Sequence, residues 1–316
     1  MDQIRVEAPA SSANLGPGFD VFALALDSPR DVVRLRLEKS SRSLTPSVRM
    51  GKVTGLEVPT ADAENGACVV CSEMAKALGV RGEIVVDLEK RVPIGLGMGS
   101  SGASAAAAAV AMNKLLGLRL SQDELIFYAG KGEGATSGAP HYDNVAASIL
   151  GGFVIVRGGD GHMPSAVSFS PPTGLALCVA TPVVSLPSRK TEYARSLLPG
   201  SVPLGTMVEN VANASLMVAG FAKKDIKLIG KGMNDRSVEQ ARKSMIPGYD
   251  LVRSRALDAG AEGVCISGAG PSMLAAVDKK RSRPRKVLEA MKAAFGHEGA
   301  RSSGYVTLVG KGARVV

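Results

Sequence analysis

The chain has 316 residues, 38 Lys+Arg against 29 Asp+Glu for a formal charge of +9, and 45% hydrophobic residues. That hydrophobic share excludes a disordered chain, the longest apolar stretch (103–112) is about half of what a membrane span needs, and the length suggests about two domains. Trp is absent and aromatics reach only 4% against 37 Gly, which argues against a base-stacking surface and for a core of small aliphatic residues and tight turns.

The start, MDQIRVEAPA, has no positive-then-apolar secretory signature, and the four Cys suit a cytoplasmic protein with reduced thiols. Apolar patterning places a first strand at 4–8. It runs into PASSANLGPGFD, where Asn14 and Asp20 flank a Gly16-Pro17-Gly18 kink and present an amide and a carboxylate to one space. A second strand is expected at 32–37 and an amphipathic helix at 64–78. In that helix Cys68 and Cys71 read as small core hydrophobes, because one C-x-x-C does not make a four-ligand zinc site.

After a strand at 84–88 comes the most informative segment, RVPIGLGMGSSGASAAAAAVAMNKLL. Gly95, Gly97, Gly99 and Gly102 let the backbone turn tightly and bring N–H groups to a ligand. Ser100 and Ser101 stand where an Ala-rich helix, 100–116, begins, so its unpaired N–H groups and positive dipole end face the glycines. That is a phosphate cradle. Gly97 to Gly102 also satisfies G-x-G-x-x-G, but Lys90, Arg91 and Pro93 intervene after the strand and the expected acidic second strand is missing. A dinucleotide turn is therefore disfavoured, and no Lys-Ser or Lys-Thr follows to make a Walker loop.

A helix at 122–131 precedes GEGATSGAPHYDN, read as a polar Gly-rich loop carrying Glu133, His141, Asp143 and Asn144. A strand at 153–156 and the stretch 158–165 then mark a division near Gly158. The second half alternates strands at 175–180, 263–267, 273–277 and 305–309 with helices at 202–222, 249–258 and 284–295. ISGAGPS forms a second backbone loop able to line an anion. The run Lys279, Lys280, Arg281, Arg283, Arg285 and Lys286 surrounds Pro284 with no aromatic nearby, and reads as a solvated loop in preference to a nucleic-acid patch.

PASSANLGPGFD, PIGLGMGSSGASAA and ISGAGPS together resemble, in order and spacing, the three signature motifs of the GHMP small-molecule kinases. The first of them and HYDNVAASILGGF look most like the homoserine kinases of that superfamily. The resemblance implies an α+β two-domain GHMP kinase fold, with a ribosomal-S5-like ATP-binding domain over 1–158 and a ferredoxin-like domain over 159–316. It implies ATP and Mg2+ as cofactors. The loop Pro93, Ile94, Gly95, Leu96, Gly97, Met98, Gly99, Ser100, Ser101, Gly102 and Ala103 would wrap the ATP phosphates, Asn65 would approach the nucleoside, and Ser101 and Glu133 would hold the metal.

On the acceptor side the resemblance points to Asn14, Asp20, His141, Asp143, Thr191, Arg195, Arg242 and Gly268. Two guanidinium groups suit a carboxylate, and nearby acids suit an ammonium. The implied reaction is phosphorylation of the L-homoserine hydroxyl to O-phospho-L-homoserine in threonine biosynthesis. Ser100, Ser101, Asp143 and Asn144 would stand at the reacting atoms. The implied partners are homoserine and ATP in a cytoplasmic homodimer, without nucleic acid or membrane. Another acceptor such as shikimate, mevalonate or a sugar, or a non-catalytic ATP-binding relative, are the alternatives.

Overall fold

A computed structural model describes residues 3–38, 46–58, 61, 64–80, 82–138, 140–159, 162–185, 187 and 190–316. The first half consists of β1 (Gln3–Asn14), β2 (Gly18–Glu38), β3 (Ser47–Gly55), α1 (Gly66–Ala77), β4 (Glu83–Lys90), α2 (Ser100–Leu116), α3 (Gln122–Ser137), α4 (Tyr142–Leu150), β5 (Phe153–Gly159) and β6 (His162–Phe169). Its sheet runs β3-β4-β2-β1, antiparallel except for the β3–β4 pair joined through α1, and β5 and β6 extend it from the first part of β2.

The second half adds β7 (Leu175–Pro182), α5 (Lys190–Ser196), α6 (Leu204–Lys223), α7 (Ile226–Gly232), α8 (Val238–Arg242), α9 (Tyr249–Asp258), β8 (Gly263–Ile266), β9 (Met273–Asp278), α10 (Pro284–His297), β10 (Ser302–Thr307) and β11 (Arg314–Val315). Its antiparallel sheet has the order β10-β7-β9-β8, the ferredoxin-like arrangement in which the outer strands are the second and the last. The chain then returns to the first sheet, where β11 pairs with β1.

Three buried clusters hold these layers together. In the first, Ala105 to Ala109 of α2 are fully buried between α1, α3, α4 and the sheet; their methyl side chains let five elements approach one helix. The second lies between the two halves, where Phe153 stacks on Phe221 with ring centroids 4.1 Å apart. The third packs α9 and α10 on the far face of the second sheet. Cys68 and Cys71 belong to the first cluster, as small hydrophobes.

Several expectations shift. The stretch expected as one loop from Gly132 to Asn144 is the end of α3 and the start of α4; Ala139 within it lies outside the described residues. Its glycines serve close packing: a Cβ on Gly132 would stand 2.4 Å from the Gly66 carbonyl oxygen, and one on Gly130 would stand 2.4 Å from the Tyr142 ring. The expected division at 158/159 falls inside β5, and β6 carries the first sheet on to Phe169, so by strand pairing the second half starts at Leu175. Asp160 and Gly161 of the expected connecting stretch also lie outside the described residues. Strands β3 and β6 escaped the pattern because both are edge strands with mostly exposed side chains. The basic run, expected as a loop, is exposed from the turn after β9 into the first turn of α10, which holds Arg285 and Lys286, and Arg281 pairs with Glu262 at 3.2 Å.

Candidate active site

The glycine loop joins β4 to α2, and Gly95, Gly97 and Gly99 take φ of +76°, +78° and +62°, values that a side chain would strain. Gly99 caps α2, whose first turn opens into a cleft of about 970 Å³. A second loop locks the first in place. Ser267 donates to the Gly97 carbonyl at 2.7 Å, and a Cβ on Gly97 would lie 2.1 Å from the Ser267 carbonyl oxygen and 2.9 Å from that of Gly270. From the first motif, the Ser11 amide donates to the Met98 carbonyl at 3.1 Å.

The two serines at the start of α2 divide their work. Ser100 lines the cleft and turns its hydroxyl back onto the Val92 carbonyl at 2.8 Å, which closes the loop. Ser101 donates to Glu133 at 3.1 Å across the helix pair. Glu133 is buried and also receives the His141 amide at 2.8 Å, with His141 Nδ1 3.0 Å from both carboxylate oxygens. Burial opposes a charge on His141, but the Glu133 hydrogen bond and charge, helped by Asp143, outweigh it and raise its pKa. His141 thus pairs with Glu133 through Nδ1 while it also lines the cleft. Among the described residues no cluster of three or more His, Cys, Asp or Glu side chains is arranged for a metal. The Ser101–Glu133 pair offers two oxygen donors, which suits an ion that completes its shell with water and phosphate oxygens.

The other end of the cleft is built on the first motif. Asn14, Leu15 and Asp20 have φ of +69°, +52° and +57°, a concentration of left-handed residues that the surrounding contacts must hold. Asn14 does this by donating to the Gly268 carbonyl at 2.8 Å and accepting from the Asp20 amide at 3.1 Å. Arg195 grips the Asp20 carboxylate at 2.9 and 3.1 Å. Arg195 and Arg242 approach the Phe19 ring with centroid distances of 5.4 and 5.1 Å. Arg242 is buried, its Nε donating to the Ala194 carbonyl at 3.1 Å; burial lowers its pKa, Asp20 counteracts this, and Arg195 adds to it.

Asp143, buried at the start of α4, joins the two ends. Burial and then Asp20 push its carboxyl up to about 7, against the pull of His141 and the Asn144 amide. The Asn144 amide donates to it at 2.7 Å, and the Asn144 side chain accepts from Ser11 at 2.9 Å. Thr191 lines the same cleft. Asn65 lines it as well, while its side chain caps α1 by accepting from the Ala67 amide at 3.1 Å.

Four expected loop contacts do not line the cleft. Leu96 packs against the core between the halves, Ala103 is fully buried there, and Pro93 lies half-buried outside it. A Cβ on Gly102 would lie 3.3 Å from that of Asn144. Gly102 and Ala103 lie past the residues of α2 that open into the cleft, whereas Pro93 and Leu96 precede the helix. The sequence reading missed two buried lysines that do line the cleft, Lys90 and Lys190. A lysine at the end of an apolar strand was the available signal for the first; nothing in the local pattern marked the second.

Residues 65–152 match the family model "GHMP kinases N terminal domain" and residues 217–297 match "GHMP kinases C terminal". The chain is 40% identical to the homoserine kinase of Methanocella arvoryzae over 316 residues, covering 100% of this chain and 98% of that protein. It is 42% identical to the homoserine kinase of Natronomonas pharaonis over 312 residues, 99% of each. Among solved structures, the homoserine kinase of Cytophaga hutchinsonii superimposes with a TM-score of 0.89 at 37% identity, covering 100% of this chain and 98% of that one. Mevalonate diphosphate decarboxylase of Staphylococcus aureus, at a TM-score of 0.70 and 17% identity, shares the fold.

Proposed function

Because the chain belongs to the GHMP kinases, and among them to the homoserine kinases, we propose that it transfers the γ-phosphoryl group of ATP to the side-chain hydroxyl of L-homoserine. The observation that carries this reading is that one cleft holds both a helix N-terminus behind a glycine loop and a pair of arginines beside an aspartate. The first suits a polyphosphate; the second suits a group with both a carboxylate and an ammonium.

Phosphoryl transfer through a loose transition state asks mainly for positioning and charge neutralisation. The loop from Gly95 to Gly99 and the first turn of α2 would hold the phosphates. Arg242 and Arg195 would hold the acceptor carboxylate, with Asp20 turning to its ammonium. Asp143 would then face the acceptor hydroxyl, and a carboxyl with a pKa of about 7 can take up its proton near neutral pH. Ser101 and Glu133 would hold Mg2+, which when bound supplies charge neutralisation at the phosphate oxygens.

A panel of L-homoserine, shikimate, mevalonate and hexoses, read by ADP formation, tests the acceptor. Turnover should be confined to homoserine, and preferential turnover of an acceptor without an amino-acid group would overturn this reading. Glu133→Gln is expected to raise the magnesium concentration for half-maximal rate roughly 10- to 100-fold. A magnesium titration matching the wild type would remove Glu133 from the metal site.

A further inference from the structure

Lys190, the first residue of α5, is buried and lines the cleft. Among the described residues its ammonium has one hydrogen-bond acceptor, the neutral carbonyl of Gly270. The charged group acting on it is another cation, Arg242, and burial followed by that repulsion lowers its pKa to about 8. A buried ammonium with N–H groups left over and no carboxylate beside it is costly to hold, unlike Lys90, which sits directly on Asp31. Such a group is stabilised only when an anion arrives with the ligand.

Its place in the cleft indicates which anion. The carbonyl that Lys190 touches belongs to the loop packed against Gly97, and a Cβ on Gly97 would lie 2.9 Å from that oxygen. Lys190 therefore borders the phosphate loop. Arg242, by contrast, is tied to Ala194 and faces Phe19 at the acceptor end. With the acceptor carboxylate assigned to the two arginines, the remaining anion that passes between the phosphate loop and the acceptor is the phosphoryl group in transit. On the kinase reading above, we infer that Lys190 is a catalytic residue whose ammonium binds the equatorial oxygens of the transferred phosphoryl group.

In that step the bond from the γ-phosphorus to its bridging oxygen breaks, its electron pair leaving with ADP. A bond forms from the acceptor hydroxyl oxygen to phosphorus, and the hydroxyl proton passes to Asp143. Lys190 keeps its proton throughout and serves as a fixed charge where negative charge spreads.

The test compares Lys190→Met, Lys190→Gln and Lys190→Arg, using whichever acceptor the panel identifies. Rejection of homoserine then bears on the acceptor reading alone and leaves the lysine comparison intact. Both neutral variants should lose kcat roughly 10²- to 10³-fold with the KM values for ATP and acceptor changed less than about threefold, whereas Lys190→Arg should stay within about tenfold of wild type. Glutamine can still donate to the Gly270 carbonyl, so it separates a charge role from a structural one and replaces the methionine variant if that one fails to fold. Full activity in Lys190→Gln would make the residue a loop fastener and overturn the inference. So would a rise in acceptor KM at constant kcat, which would place the ammonium on the acceptor carboxylate.

Discussion

Replacing Arg242 with Ala is expected to raise the homoserine KM about 10²- to 10³-fold while the ATP KM stays within about twofold, because truncating one partner of a buried charge pair costs about 2–5 kcal/mol and each 1.4 kcal/mol is tenfold. Arg242 is 3% exposed, so a carboxylate bound to it is withdrawn from water and the interaction is little screened. Arg195→Ala should follow the same direction with a smaller effect, about tenfold, since its side chain is 36% exposed and it already shares Asp20. Arg242→Lys should recover only part of the loss, because a point charge cannot reproduce the planar fork. Steady-state kinetics with each substrate varied in turn provide the measurement. An unchanged homoserine KM in both alanine variants would refute the carboxylate assignment.

Lys90→Met should be the most damaging single change to the fold outside the aliphatic cores, lowering stability by about 3–5 kcal/mol as a shift in urea midpoint. Lys90 is buried at the end of β4 and bonds to Asp31, to the Ser100 carbonyl at 2.6 Å and to Ser104 at 2.9 Å. Asp31 in turn accepts from the Arg91 and Val92 amides, each at 2.8 Å, and from Ser104 at 2.7 Å. One buried ion pair thus fastens β2, the start of the glycine loop and the first turn of α2. Removing the ammonium strands a carboxylate in the interior. Adding Asp31→Asn to Lys90→Met should restore part of the stability, because the amide oxygen still accepts while the unpaired charge disappears. If the double variant is no more stable than Lys90→Met, the loss comes from packing and not from charge.

The elements legible in the sequence were those with a strong period or a sharp start. The Ala-rich helix 100–116 was placed at its observed ends because a glycine loop precedes it and Gly117 ends it. Strands β7 and β9 of the second sheet were legible because they are buried on both faces and read as continuous apolar runs, whereas the strand expected at 305–309 is the mostly exposed β10, Ser302–Thr307. Glu133 was misplaced into a loop because Gly130, Gly132 and Gly134 look like turn formers. Gly132 is small because α1 packs on it through Gly66 and Val70, far away along the chain, and Gly130 because the Tyr142 ring packs on it.

By itself, then, the sequence determined the mixed α/β class, the glycine loop that leads into the start of α2 and the motif order that marks a GHMP kinase. Each of these is written in local spacing: glycines that free the backbone, serines at a helix start, apolar residues at the period of a strand or helix. The tertiary structure decided which of those residues share the cleft, that the Ser100 hydroxyl meets Val92 while Ser101 meets Glu133, and that Lys90 has a carboxylate while Lys190, among the described residues, has none. Burial and charge pairing depend on what folds against a side chain from elsewhere in the chain. Lys190 is set by Gly270, 80 residues distant, and no local pattern encodes that contact.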